Sequence, residues 1–132
     1  MEKVIVTPEE KAIADAIFEA AKEVLEQLGP GLLESVYEMC LEHELKLRGF
    51  SVERQVPLSV KYKDLEMDNL FRIDLWVNKK VVIELKAVSE MKDVYKAQLN
   101  TYLKLSNCNL GVLINFNVRY IGEGFTRWIV RK

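Results

Sequence analysis

Asp74, Glu84 and Lys86 are the residues whose types and spacing suit chemistry. They lie in two apolar stretches, Arg72-Ile73-Asp74-Leu75 and Val82-Ile83-Glu84-Leu85-Lys86. Residues two apart in a strand share a face, so Glu84 and Lys86 project together. If Asn78-Lys79-Lys80 forms a three-residue hairpin loop, Val77 pairs with Val81 and Asp74 falls opposite Glu84. Two carboxylates about 5 Å apart on facing strands repel each other. A magnesium ion between them, about 2.1 Å from each oxygen, removes that repulsion and leaves positions open for water and phosphate. A two-residue loop sets Ile83 opposite Asp74 instead, so the pairing turns on the loop. The same three residues also fit the wet face of an antiparallel hairpin, with Glu84 and Lys86 as an ordinary surface pair.

Composition limits which metal and which partners such a site would serve. One histidine, His43, and two cysteines, Cys40 and Cys108, exclude a multi-histidine zinc site and a four-thiolate zinc or iron–sulfur site. Any metal must sit on carboxylates and other oxygen ligands, which points to magnesium, manganese or calcium. Nineteen Lys plus Arg against twenty Asp plus Glu give a formal charge of -1 and a sequence pI near 5.9. Binding through overall positive charge is therefore excluded, though a local basic groove is not. With 132 residues, 49% of them hydrophobic and 30% charged, residues 1–132 are expected to form one domain with a real core. No run of about 18 apolar residues would span a membrane, and MEKVIVTPEEK lacks the form of a secretory signal. The expected setting is a reducing cytoplasm with both thiols free.

The elements that must position the three residues can be read from periodicity. Thr7-Pro8-Glu9-Glu10 predicts a helix start, with Thr7 as N-cap, Pro8 first and Glu10 closing a capping box. Ile13, Ile17, Phe18, Ala21, Val24, Leu25 and Leu28 form its apolar stripe. After Gly29-Pro30-Gly31, a second helix is expected through Leu32, Leu33, Val36, Tyr37, Cys40, Leu41 and Leu45, ending at Arg48-Gly49. Val52 to Tyr62 alternates as a strand, or a bent pair around Pro57, and Lys63-Asp64 to Asp68-Asn69 reads as a polar turn. Leu70 to Val77 and Val81 to Val88 predict a hairpin. A helix from about Lys92 to Leu105, a central strand from Leu110 to Phe116 and an edge strand from Thr126 to Val130 complete the chain. The order is ααβββαββ: a mixed α/β fold of about five strands flanked by helices.

Asp, an interval of nine residues, and then Glu-x-Lys on an apolar strand resembles the PD-(D/E)XK nuclease superfamily. Three further stretches strengthen the likeness. Gly31-Leu32-Leu33-Glu34-Ser35-Val36-Tyr37 fits the G-x-x-E-x-x-Y signature that names one small family within it. Gln98-Leu99-Asn100-Thr101-Tyr102 fits the Q-x-x-x-Y motif of RecB-type members, and Gly111-Val112-Leu113-Ile114-Asn115-Phe116 looks like the same family's G-x-L-I-N-F strand. One departure is Ile73, where the superfamily name has Pro.

The resemblance implies a restriction-endonuclease-like core and a Mg2+- or Mn2+-dependent nuclease, hydrolysing phosphodiester bonds of nucleic acid, DNA by preference, with a metal-activated water. It implies that Asp74, Glu84 and the backbone carbonyl of Leu85 bind the metal. Lys86 would orient or activate the water and offset charge on phosphate. Glu34 would lie near the metal or its waters. Gln98 and Tyr102, four apart on one helix face, would hydrogen-bond the lysine, water or phosphate, or else pack as a polar helix edge. So small a domain would reach its substrate through a homodimer, a partner protein or a special DNA structure. The competing reading is a non-cleaving nucleic-acid-binding or protein-interaction module on a nuclease fold.

Other residues have plainer expected roles. His43 is nine positions from Glu34, about 180° around the helix, and belongs on the surface. Cys40 and Cys108 read as packed thiols, and Glu19, Glu23 and Glu26 as a solvated face. Arg72, Lys61, Lys63, Lys79, Lys80, Lys92 and Lys96 cluster in sequence around the site and offer either a local positive field or solvated strand ends.

Overall fold

Helix α1, Pro8–Leu28, begins where its capping signal stands in the computed structural model, which describes residues 3–132. The Thr7 N–H donates to Glu10 Oε1 at 2.9 Å and the Glu10 N–H to Thr7 Oγ1 at 3.1 Å, so two end groups satisfy each other. Gly29 and Gly31 take φ of 72° and 100°, a left-handed course that turns the chain into α2, Glu34–Leu47. Leu32 and Leu33, expected inside that helix, precede it and are exposed. Leu33 is still extended, at φ -68° and ψ 146°, because the glycine turn ends too late for an earlier start. Tyr37, fully buried, clasps this turn: its hydroxyl donates to the Gly29 carbonyl at 2.6 Å and accepts the Leu32 N–H at 3.1 Å.

Five strands follow the two helices: β1 (Val52–Tyr62), β2 (Leu65–Val77), β3 (Val81–Lys86), β4 (Leu110–Asn115) and β5 (Phe125–Ile129). They lie in that spatial order, antiparallel except for β3 and β4. The parallel pair is joined by a crossover through α3, Asp93–Ser106, as a parallel connection requires. The expected long polar turn at residues 63–69 is corrected: only Lys63-Asp64 turn, and β2 already pairs from Leu65. Lys63 adopts φ 54°, the left-handed geometry with which two residues close a hairpin. Strand β3 stops at Lys86, short of Val88, because the Asn115 side chain takes the Val88 N–H and carbonyl at 3.1 and 3.0 Å.

Both faces of the sheet are covered. Ile13, Ile17, Tyr37 and Leu41 pack on Leu75, Ile83, Leu85, Val112 and Ile114, while Leu99 and Leu103 of α3 pack on Val82 and Leu113. Gly111 allows this second contact, since a Cβ there would stand 2.7 Å from Leu99 Cδ1. Tyr37 also stacks on Phe116, ring centroids 4.6 Å apart, tying the α2 start to the end of β4. Among the described residues no helix is long and apolar enough to cross a membrane.

Tyr37→Phe keeps the ring and removes both hydroxyl hydrogen bonds. It should destabilise the protein by about 1–3 kcal/mol, the cost of leaving such groups unpaired. Urea denaturation measures this; an unchanged midpoint would mean the clasp contributes nothing.

Candidate functional site

The site forms where β2 and β3 part. Beyond the Asn78–Lys80 loop the strands pair through Val77/Val81, Trp76/Val82 and Leu75/Ile83, the register of a three-residue loop. Asn78 and Lys79 take φ of 51° and 53°, and the Asn78 side chain accepts the Ser51 N–H at 2.9 Å, which pins the loop to the start of β1. Asp74 and Glu84 come next along, and there side chains replace the backbone ladder. Asp74 Oδ2 accepts the Leu85 N–H at 2.9 Å, and Glu84 Oε1 accepts the Asp74 N–H at 3.3 Å. The alternation of β2 reverses at the same point: Leu75 belongs to the α1/α2 side of the core and Ile73 to the α3 side. Asp74 thus stands at a fork between the two faces.

This placement buries two acids side by side. Glu84 is only 7% exposed. Burial, then the Asp74 carboxylate, push its carboxyl up to about 9, against the pull of the Asp74 N–H and Lys86. Burial also raises Asp74, held back by the Leu85 N–H, Lys86 and the Gln55 amide. Lys86, half-buried, lies with its ammonium 4.5 Å from the centre of the Tyr95 ring at the start of α3, a cation–π contact that fixes its direction.

The remaining residues singled out in the sequence divide. Glu34 is exposed in the first turn of α2, yet partial desolvation and the Asp74 carboxylate raise its carboxyl while Lys86 lowers it. It therefore shares the field of the site. Tyr102 is half-buried on α3, its phenol raised by burial and then by Glu84 and Asp74. Gln98 is exposed and makes no side-chain hydrogen bond among the described residues. Tyr37, the last residue of the G-x-x-E-x-x-Y stretch, serves the turn rather than the acids. His43 is exposed, Cys40 half-buried and Cys108 buried. Lys79 and Lys80 pair with Glu53 and Glu9 at 3.9 and 3.5 Å on the surface, away from the fork.

Three further residues support the site: Glu38 and Gln55, which lie outside every motif of the sequence, and Asn115, the asparagine of the G-x-L-I-N-F stretch. Glu38 lies one turn after Glu34 and is 7% exposed. Burial, then Asp74, push its carboxyl up to about 7, with Gln55 and Arg54 pulling it down. Its spacing of four from Glu34 was the available clue. Gln55 donates from Nε2 to Glu38 Oε1 at 2.7 Å and to Asp74 Oδ1 at 3.3 Å, from a strand where alternation marks it only as polar. Asn115, 4% exposed, fixes the chain leaving Lys86 through its bonds to Val88.

The electrostatics predict a pH dependence. Glu84 is raised in the folded state from 4.5 to about 9, so the native protein holds that proton more tightly than the unfolded chain. Its contribution to stability is therefore lost as pH rises across that window. Glu84→Gln retains the acceptor for the Asp74 N–H and cannot ionise. With a chelator present, its advantage over wild type should grow from about pH 4.5 to 9 and exceed about 1 kcal/mol at pH 8, less than the worth of one full pKa unit. Urea titrations at four pH values check it; parallel curves would contradict the placement of two buried acids.

Comparison with known proteins agrees with this architecture. The crystal structure of SSO0001 superposes with a TM-score of 0.52 at 22% identity, covering 74% of this chain and 49% of that one, a likeness in fold. The chain thus spans about half the length of that protein. No curated protein matches it. The family model that does match, over residues 11–128, takes in α2, the fork, α3 and the β4 strand together, and by it the chain belongs to the PD-(D/E)XK nuclease superfamily.

Proposed function

We propose that this chain is a divalent-metal-dependent nuclease that hydrolyses phosphodiester bonds, with DNA as the polymer expected from its resemblance to RecB-type enzymes. The observation that carries the reading is the buried Asp74–Glu84 pair with the Lys86 ammonium beside it. Two carboxylates that burial drives toward protonation, Glu84 also through the charge of Asp74, are a standing demand for a hard cation. The donor chemistry fits Mg2+ or Mn2+: Asp74, Glu84 and the Leu85 carbonyl supply oxygen only. Among the described residues no group of three or more His, Cys, Asp or Glu is disposed to hold a metal, and in this reading solvent and substrate oxygens would complete the shell.

When bound, such an ion supplies Lewis acidity at phosphate and a lowered pKa for water. The chain's own residues do the rest. Lys86, steadied by Tyr95, orients the attacking water and offsets negative charge as it gathers on the phosphoryl oxygens. Glu34 and Tyr102, which share the field of the acids, hydrogen-bond waters at the rim. Gln98, exposed on α3, is left for a substrate phosphate. Hydrolysis adds hydroxide to phosphorus, breaks one P–O bond and leaves the water's proton on the departing oxygen. With a formal charge of -1, the domain reaches nucleic acid through a homodimer, a partner protein or a special DNA structure.

One observation favours a second reading, a non-cleaving binding or interaction module. The acids are already engaged by backbone N–H groups, and among the described residues no buried side-chain polar atom lacks a partner. Lys86→Ala separates the two. Cleavage of labelled single-stranded, duplex and branched DNA and of RNA, with magnesium or manganese, should fall about 10²–10³-fold while manganese affinity is kept. Equal cleavage by both proteins removes Lys86 from the reaction, and no cleavage by either favours the module. A thermal scan adds an independent check. Manganese at a hundred times its dissociation constant should stabilise wild type by about 2.7 kcal/mol and Asp74→Asn by much less.

A further inference from the structure

Strand β1 breaks its own rules at one residue. Gln55 lies inside the strand, between the pairs Arg54/Leu75 and Val56/Ile73, yet takes φ 54°. Lys63, Asn78 and Lys79 share that left-handed backbone but lie in hairpin turns, and Asn107 caps α3; Asn69 has it inside β2, where the β1–β2 register shifts, but asparagine is a residue type that tolerates it. For a residue with a Cβ inside a strand it is a strained choice. The strain coincides with a contact. The Gln55 amide nitrogen reaches Glu38 Oε1 at 2.7 Å and Asp74 Oδ1 at 3.3 Å, using both of its hydrogens on two carboxylates from different elements. The face reversal of β1 falls here too, since Val52 packs on the α1/α2 side and Leu58 on the α3 side.

We propose that Gln55 is a positioning residue for the acid pair: its left-handed backbone aims one amide between Glu38 and Asp74, holding the Asp74 carboxylate in the orientation that binds the cation. This rests on the nuclease reading of the site. Local strain of this kind persists where surrounding structure over-determines it, and it gathers where a side chain must be aimed. An amide suits the task because it donates without adding charge. A lysine here would compete with the cation, and an acid would add a further like charge.

Three substitutions separate backbone from amide. Gln55→Ala removes the amide and keeps the Cβ. Gln55→Gly removes the amide and relieves the backbone. Gln55→Asn tolerates left-handed φ but is one methylene too short to reach both acids. Metal-free melting should rank glycine and asparagine above alanine, the reverse of the usual order of glycine and alanine inside a strand. Calorimetric titration with Mn2+ should show all three binding about 10–100-fold more weakly than wild type, as when a ligand's supporting hydrogen bond is lost. A merely structural Gln55 would move the melting points and leave the affinities alone. Wild-type affinity in the three variants overturns the proposal by itself, as does alanine melting above glycine. A wild type that takes up no Mn2+ overturns the nuclease reading and this proposal together, so the two failures are distinct. If the alanine variant does not fold, glycine and asparagine still carry the affinity test.

Discussion

A buried peptide N–H must have an acceptor, and at the β2–β3 fork the acceptors are carboxylates. Backbone pairing ends at Leu75/Ile83, leaving the N–H groups of Asp74 and Leu85 without carbonyl partners from the opposite strand. Each is taken by the acid across the gap. These two bonds draw a pair of ionisable groups into the sheet, where neither would otherwise be stable. Much else in the structure accommodates that fact. Lys86 is steadied by α3 nearby, Gln55 bends a strand to donate to Asp74, and Asn115 fixes the chain just past Lys86.

The apolar layers make this arrangement tolerable. β4 is buried along its whole length, and both helical layers reach it: α3 through Gly111, and α2 through the Tyr37–Phe116 stack. β4 pairs with β3 along its full length, from Val81/Leu110 to Lys86/Asn115, so β3 stays in the sheet beyond the point where β2 leaves it. Burial raises the local energetic stakes in both directions. It makes two adjacent acids costly as anions, and it strengthens any interaction they form with a cation.

What could be read from the chain was what depends on local spacing. The capping box at Thr7 and Glu10 involves residues three apart, and it formed as written. The Asn78–Lys80 loop set the register that brings Asp74 and Glu84 level, although the sequence left two loop lengths open. Gly111, seen only as part of a motif, has a packing reason in Leu99. The contacts that local spacing does not reveal join distant elements. Glu38 and Gln55 meet Asp74 from α2 and β1, 36 and 19 positions away in sequence, and no periodicity reports such a meeting. Positive φ at Lys63 and Gln55 was equally hidden, because neither residue type announces it. Periodicity places the start of the second helix too early for a related reason: Leu32 and Leu33 look like core but precede Glu34 in the turn.

The short loop between β2 and β3 also sets an order of events along the folding path. Closing Asn78–Lys80 brings Asp74 and Glu84 together on the timescale of a hairpin, about 1–10 μs, with little chain entropy to overcome. The parallel partner β4 must wait for a crossover containing α3, a far larger loop to close. Repulsion between the acids is therefore already present in the nascent, hydrated hairpin, where water screens it. Dehydration follows as α2, α3 and β4 dock on the hairpin. The electrostatic cost of the site thus falls late, on the step that completes the core, and mainly as unfavourable desolvation rather than as a barrier to the first turn.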